Sequence, residues 1–207
     1  MNPPEVAASA YETALSTIRD EHHALALVME VVQRVLTDIG RQHAEADFAL
    51  LAAALYYIDD FPERYHHPKE DQYLFDALRR HTTAFNATLD ELQADHVRSG
   101  QMMDYLHHAF VHYQAGAPQG YARFREAIDA YGALLREHMD KEERLLAEAR
   151  ECLDEQQWQR IAAAFAANDD PLFGANAREA FRRLYLRIIN LLPRKRRPNL
   201  HHHDPER

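Results

Sequence analysis

The sequence predicts an all-α fold: an antiparallel up-down-up-down four-helix bundle with additional short C-terminal helices. Three observations carry that prediction. Alanine, leucine, glutamate and arginine dominate a chain of 207 residues that has only six glycines and nine prolines, and no Val/Ile/Thr-rich alternating run suggests a strand. Apolar residues recur at spacings of three and four through four long segments. The breaks between those segments are short and polar, which favours antiparallel neighbours.

The first segment carries the seam Leu15, Ile18, His22, Leu25, Met29, Val32, Leu36, Ile39, apolar but for one histidine. The second, from about Ala46, runs Phe48, Leu51, Leu55, Ile58, Pro62, His66, Glu70, Leu74, Leu78, and turns polar twice. A capping box, Thr88-x-x-Glu91, opens the third. Its seam is Leu89, Leu92, His96, Ser99, Met103, Leu106, Phe110, Tyr113. After the Gly116/Pro118/Gly120 break, the fourth runs Phe124, Ile128, Tyr131, Leu135, His138, Glu142, Leu145, Ala149 and repeats the His-then-Glu interruption of the second. Residues 154–167 and 175–192, separated by "NDDPLFG", read as two shorter helices whose apolar faces (Trp158, Ile161, Phe165; Phe181, Leu184, Ile188, Leu191) cap the bundle. The expected organisation is a bundle over 1–153, a helical extension over 154–193, and a basic, disordered tail over 194–207 in which His201–His203 form an exposed tract.

Composition narrows the function. A formal charge of −9 with neutral histidines disfavours nucleic acid as a partner, and the one basic run, Arg194–Arg197, lies in the Pro-flanked tail. Cys152 is the only cysteine, so no internal disulfide forms. The N-terminus lacks the basic start and apolar core of a secretory signal. The longest uncharged apolar stretch, Phe48 to Ile58, has 11 residues, well short of the ~20 that span a bilayer. The expectation is a soluble, cytoplasmic protein with no membrane partner; nothing in the composition specifies an oligomer.

A polar side chain in a packed core costs roughly 1–3 kcal/mol unless something satisfies it, and an ionised carboxylate costs far more. Six of them on four seams therefore need a common partner. At ~1.5 Å per residue, the rise from His22 to the first break nearly cancels the return to His66, and His96 and His138 match in the same way. Four histidines and two glutamates arrive at one height, facing one axis. An i,i+4 pair lies on one helix face, and the N/O donor set suits two carboxylate-bridged ions of iron, manganese or zinc. In the doubled histidines, His22 rather than His23 falls on the seam. His66 rather than His67 aligns with His138 when "HHPKE" is set over "HMDKE", so His23 and His67 are expected to flank the site. Glu142 is preferred over Glu143 by the same alignment. Pro68, inside the His66–Glu70 pair, removes a backbone bond and is expected to kink the helix there. Core packing is the expected role of Tyr65, Tyr131 and Met103.

The stretches "RDEHHAL", "RYHHPKEDQYLF", "LQADH" and "EHMDKEE", within about residues 15–150, resemble the hemerythrin-like, or HHE cation-binding, family. The resemblance implies a four-helix bundle holding two iron ions, Fe2+ or Fe3+, in a non-haem centre bridged by carboxylate and by an oxo group, with manganese or zinc as substitutes. It implies His22, His66, His96 and His138 as terminal ligands and Glu70 and Glu142 as bridges, and a protein that binds, senses or reacts with dioxygen, nitric oxide or peroxide. Oxygen-carrying members have a fifth histidine one turn after the third-helix ligand, where this chain has Gly100. That departure favours sensing or small-molecule chemistry over reversible oxygen carriage. The alternative is a di-iron enzyme of the iron–sulfur-cluster repair or ferroxidase type. A ferritin-like site is disfavoured, because Glu-x-x-His occurs once, at Glu63–His66, and helices one and three offer histidine where glutamate is required.

Overall fold

The structure, a computed structural model, describes residues 9–42, 45–168, 170, 172 and 182–191. Among these there is helix and no strand. Helix α1 spans Ala10–Gln42. Helix α2, Phe48–Phe61, begins where the Asp47 carboxylate accepts from the Leu50 N–H at 3.1 Å, satisfying one of the first-turn donors. The helical path then runs on through a π-helical turn at Pro62–His66, a short α3 at His67–Lys69, a second π-helical turn at Glu70–Phe75, and α4 at Asp76–His81. Helices α5 (Asn86–Gln114), α6 (Gly120–Ala149), α7 (Glu155–Ala166) and α8 (Arg182–Leu191) complete the described chain.

One local expectation needs correction. Thr88 does not cap α5: the helix starts two residues earlier, at Asn86, after Phe85, whose side chain makes no capping hydrogen bond. At Pro68 the backbone departs from regular α-helix, with a wider turn on either side, and the helical path continues. Between α5 and α6 the chain reverses through Gly116 (φ 68°) and Gln119 (φ 61°). Gly120 is required at the close approach that follows, since a Cβ there would stand 2.8 Å from the Tyr113 Cα. The expected tail over 194–207, its histidine tract and Phe181 fall outside the described residues.

Side-chain pairs show which helices are neighbours. Arg19 reaches Glu143, Gln33 reaches Asp129, and the Tyr121 hydroxyl donates to the Leu36 carbonyl, so numbers rise on α1 as they fall on α6. The same reversal joins Asp59 to His107, Asp71 to His96 and Arg79 to Asp90 along the second segment and α5. Helix α7 packs along α1, with the Tyr11 and Trp158 rings edge-to-face at 4.9 Å. Leu184 and Ile188 of α8 are buried.

The apolar interior is split. One cluster holds Leu25, Ile58, Phe61, Met103, Leu106 and Leu135; the other holds Ile18, Leu74, Phe75, Leu92, Leu145 and Phe165. Between Ile18 and Leu25 stands His22; between Phe61 and Leu74 stand His66, His67 and Glu70; between Leu92 and Met103 stands His96; between Leu135 and Leu145 stand His138 and Glu142. A polar layer thus crosses the molecule with a dry core on each side. Leu92, fully buried in one of those cores, should cost about 2–5 kcal/mol when changed to alanine. Urea titration of both variants checks this, since Val97→Ala, at an exposed site, should stay within about 0.5 kcal/mol of the parent.

Candidate metal centre

In an ordinary α-helix two adjacent side chains point about 100° apart, so His66 and His67 should not both face inward. Here they do, with 1 % and 6 % exposure, and Glu70 is fully buried. The cause is the widened backbone. The His67 N–H bonds to the Pro62 carbonyl, five residues back, and the Asp76 N–H bonds to the Asp71 carbonyl in the same way. Such turns take up an extra residue, and Pro68, which has no N–H to lose, sits between them at little cost. The His66–Glu70 pair survives: the His66 Nε2 lies 2.7 Å from Glu70 Oε1.

The buried donors form two groups, each with its ligand-type atoms within 4.8 Å of one another: His22, His66, Glu70 and Glu142; and His67, Glu70, His96 and His138. Glu70 belongs to both. Its Oε1 faces the first group, 2.7 Å from His66 Nε2 and 3.8 Å from His22 Nε2, and its Oε2 faces the second, 3.1 Å from His96 Nε2. Within the first group the Nε2 atoms of His22 and His66 stand 2.9 Å apart, and His22 Nε2 is 3.1 Å from Glu142 Oε2.

Apart from the His22–His66 contact, which has hydrogen-bond geometry, the inward-facing atoms are close without being aligned to bond one another. Both oxygens of Glu70, both oxygens of Glu142 and the Nε2 atoms of His96 and His138 are buried with no hydrogen-bond partner. Leaving a buried polar atom unsatisfied costs about 1–3 kcal/mol, and more when it is charged. Lone pairs aimed at shared points instead of at each other fit a cation at each point, and mixed imidazole and carboxylate donors fit iron, manganese or zinc.

Comparison with known proteins agrees with this geometry. The model of the family described as hemerythrin HHE cation binding domain matches residues 13–150. The chain belongs to that family. No curated protein and no solved structure matches it. The matched stretch contains every donor of both groups, and the domain is a cation-binding one by family.

Around the donors of this hemerythrin domain lies a ring of carboxylates. Glu21 Oε2 is 2.7 Å from His66 Nδ1, Asp71 Oδ2 is 3.4 Å from His96 Nδ1, Glu63 Oε1 is 3.4 Å from His67 Nδ1, and Asp95 Oδ2 is 3.8 Å from His138 Nδ1. The Glu21 and Asp71 contacts are hydrogen bonds, and a carboxylate so bonded fixes the imidazole's tautomer and leaves its other nitrogen facing inward as a ligand, whereas the Nδ1 atoms of His67 and His138 have no hydrogen-bond partner. Asp71 is held in turn by Gln93, and Asp95 by Lys141.

Burial and neighbouring charge set the proton affinities of the metal-free layer. Burial works to lower His22, yet Glu142 beside it lifts it to about 8. Burial likewise opposes a rise at His96, which Asp71 and Glu70 bring to about 9. His66 is raised well above the usual range against its burial by Glu70 and Glu21. His67 is lowered by burial, and His138 is pushed down to about 3 by burial and by its histidine neighbours. Despite burial, the surrounding histidines hold the Glu70 carboxyl well below the carboxylate range, while burial and the nearby Glu70 push Glu142 up.

All six residues singled out by the sequence, His22, His66, Glu70, His96, His138 and Glu142, lie in these groups. Glu142, expected as a second bridge, falls in the first group alone. His67 is the correction: set aside as a flanking residue, it stands inside the second group. The signal for it was present, since a proline inside an unbroken helical pattern is where an extra-residue turn is accommodated. His67 also bears on the missing fifth histidine. A Cβ at Gly100 would meet nothing within 4 Å, and a fifth imidazole, His67, stands in the donor groups from the second segment. His23 is exposed, and Glu143 pairs with Arg19 at the surface.

Replacing His67 with alanine should lower bound metal and the metal-dependent rise in melting temperature together, because ligand binding is also folding energy. His23→Ala should change neither in the same metal assay. The raised His22 and His96 stabilise the metal-free fold while protonated. That contribution is fully present below the unfolded value of about 6.5 and is lost as pH climbs through about 8 and about 9. Metal binding needs the same protons removed. Melting temperature of the metal-free chain should therefore fall over that window while zinc affinity, measured by chelator competition, rises.

Proposed function

We propose that this chain is a di-iron protein that binds or senses a small diatomic or peroxide ligand, built on an antiparallel up-down-up-down bundle over 1–153 with a helical extension over 154–193. The observation that carries the reading is Glu70, with one oxygen turned to each donor group. Such a carboxylate would be a ligand shared by two ions. His22, His66 and Glu142 would complete one set of ligands, and His67, His96 and His138 the other.

Bound iron would supply an exchangeable coordination position and a reversible change of oxidation state. The chain's own residues determine what reaches it. A cavity of about 10 Å³ lies against His67, His96 and His138, room for about one water-sized molecule. Leu134 and Leu135 make its wall apolar, and the hydroxyls of Ser99 and Tyr131, 3.2 Å apart, line it. The Tyr131 hydroxyl donates to the Ile58 carbonyl at 3.4 Å and can accept from Ser99, so letting go of one of these contacts frees a proton for an acceptor in the cavity. Burial pushes the Tyr131 hydroxyl up to about 12, so it remains a donor. A cavity of this size suits a ligand close to a water molecule in bulk and excludes organic substrates. The repair and ferroxidase readings use the same donors and form the alternative.

Anaerobic reconstitution with ferrous iron should give two irons per chain by elemental analysis. Admission of oxygen should then produce a near-ultraviolet oxo-bridged charge-transfer band, and nitric oxide given to the ferrous protein should produce a distinct spectrum. Absence of bound iron after reconstitution would remove both the binding and the enzymatic reading.

A further inference from the structure

The layer of metal donors is held from behind by a chain of contacts that leaves the family's matched stretch. His66 Nδ1 meets Glu21 Oε2 at 2.7 Å; the other oxygen of Glu21 accepts from Asn168 Nδ2, also at 2.7 Å. The Asn168 carbonyl oxygen accepts from Lys69 Nζ. Asn168 follows α7 directly, its N–H bonded to the Phe165 carbonyl at 2.8 Å, and the buried Phe165 ring stands edge-on to the His66 imidazole at 5.9 Å. Neither Phe165 nor Asn168 lies within residues 13–150.

The residue type matters at this point. A primary amide can donate to a carboxylate with its nitrogen and accept from an ammonium with its oxygen, and Asn168 does both at once. Its position is fixed from both sides. Upstream, α7 is anchored by the Asp154–Gln157 capping box, by the Ala10 N–H on Glu155 at 3.0 Å and by Trp158 against Tyr11. Downstream, the Tyr57 hydroxyl donates to Asp170 at 2.7 Å.

We propose that the segment Glu155–Asn168 is a clamp on the metal centre, in which Asn168 acts as a positioning residue that holds Glu21 against His66 and so couples docking of the segment to occupancy of the His22/His66/Glu70/Glu142 group. The proposal rests on the di-metal reading of that group. Two consequences follow from the geometry. Losing Asn168 frees Glu21 to turn away, and His66 loses the partner that fixes its ring; changes of this kind cost roughly 10–100-fold in metal affinity. Coupling is reciprocal, so an ion that binds better when the segment is docked also tightens the docking by the same factor. The extension thereby becomes the part of the molecule in which occupancy of the buried centre is expressed at the surface.

Zinc titrations with a competing chromophoric chelator on the full chain, paired with hydrogen exchange of residues 155–168 with and without zinc, test this. Asn168→Ala should weaken one of two ions about 10–100-fold and abolish the zinc-dependent gain in protection. Asn168→Asp keeps the shape and the Lys69 contact but cannot donate to Glu21; it should behave like the alanine variant and serves if that one fails to fold. Gln159→Ala, at an exposed position of α7, should leave both affinities within about twofold of the parent. Parent-like affinities in both Asn168 variants, or protection in the parent that ignores zinc, would overturn the clamp while leaving the metal centre standing. A parent chain that binds no zinc or iron would overturn both.

Discussion

Everything in this molecule is arranged around one buried carboxylate with both oxygens turned inward. Glu70 is fully buried between two apolar clusters, where an unpaired ionised carboxylate would cost far more than a neutral polar group. Of the five histidines in the two groups, His22, His96 and His138 come from other helices, and His66 and His67 are brought in from Glu70's own segment by the widened backbone. Each long helical segment therefore contributes an imidazole at this one level, where the donors meet that carboxylate. The dry clusters on either side supply most of the stability and exclude water from the layer. Exclusion of water is what makes the electrostatic demands of the layer strong.

The widened backbone shows how a local irregularity serves this constraint. A straight α-helix offers one side chain per turn to a given line. Two π-helical turns around Pro68 let a single segment present His66, His67 and Glu70 together, which gives that segment a stake in both donor groups. Neither of the other helices facing the second group carries more than one of its donors, His96 on α5 and His138 on α6.

Much of this was legible in the sequence. The three- and four-residue spacing exposes the helices, and polar residues interrupting apolar seams expose the layer, since a core polar group requires a partner wherever the fold places it. What escaped were features set by backbone geometry or distant contacts. His67 was set aside because setting "HHPKE" over "HMDKE" pairs His66 with His138, a comparison that assumes one regular helix, although the neighbouring proline marks where regularity ends. Thr88-x-x-Glu91 matches a capping signal that α5 does not use, since the helix starts earlier at Asn86. Asn168 lies 147 positions from Glu21, and no periodicity can connect residues that meet only through the packing of α7 on α1.

The central claim is that two ions sit one on each side of Glu70. Anomalous diffraction from crystals of the iron-reconstituted chain tests it most directly. The account predicts two peaks, one among His22, His66 and Glu142 and the other among His67, His96 and His138, joined by the Glu70 carboxylate. A single peak away from Glu70, or none in crystals whose chains are folded as here, would contradict it.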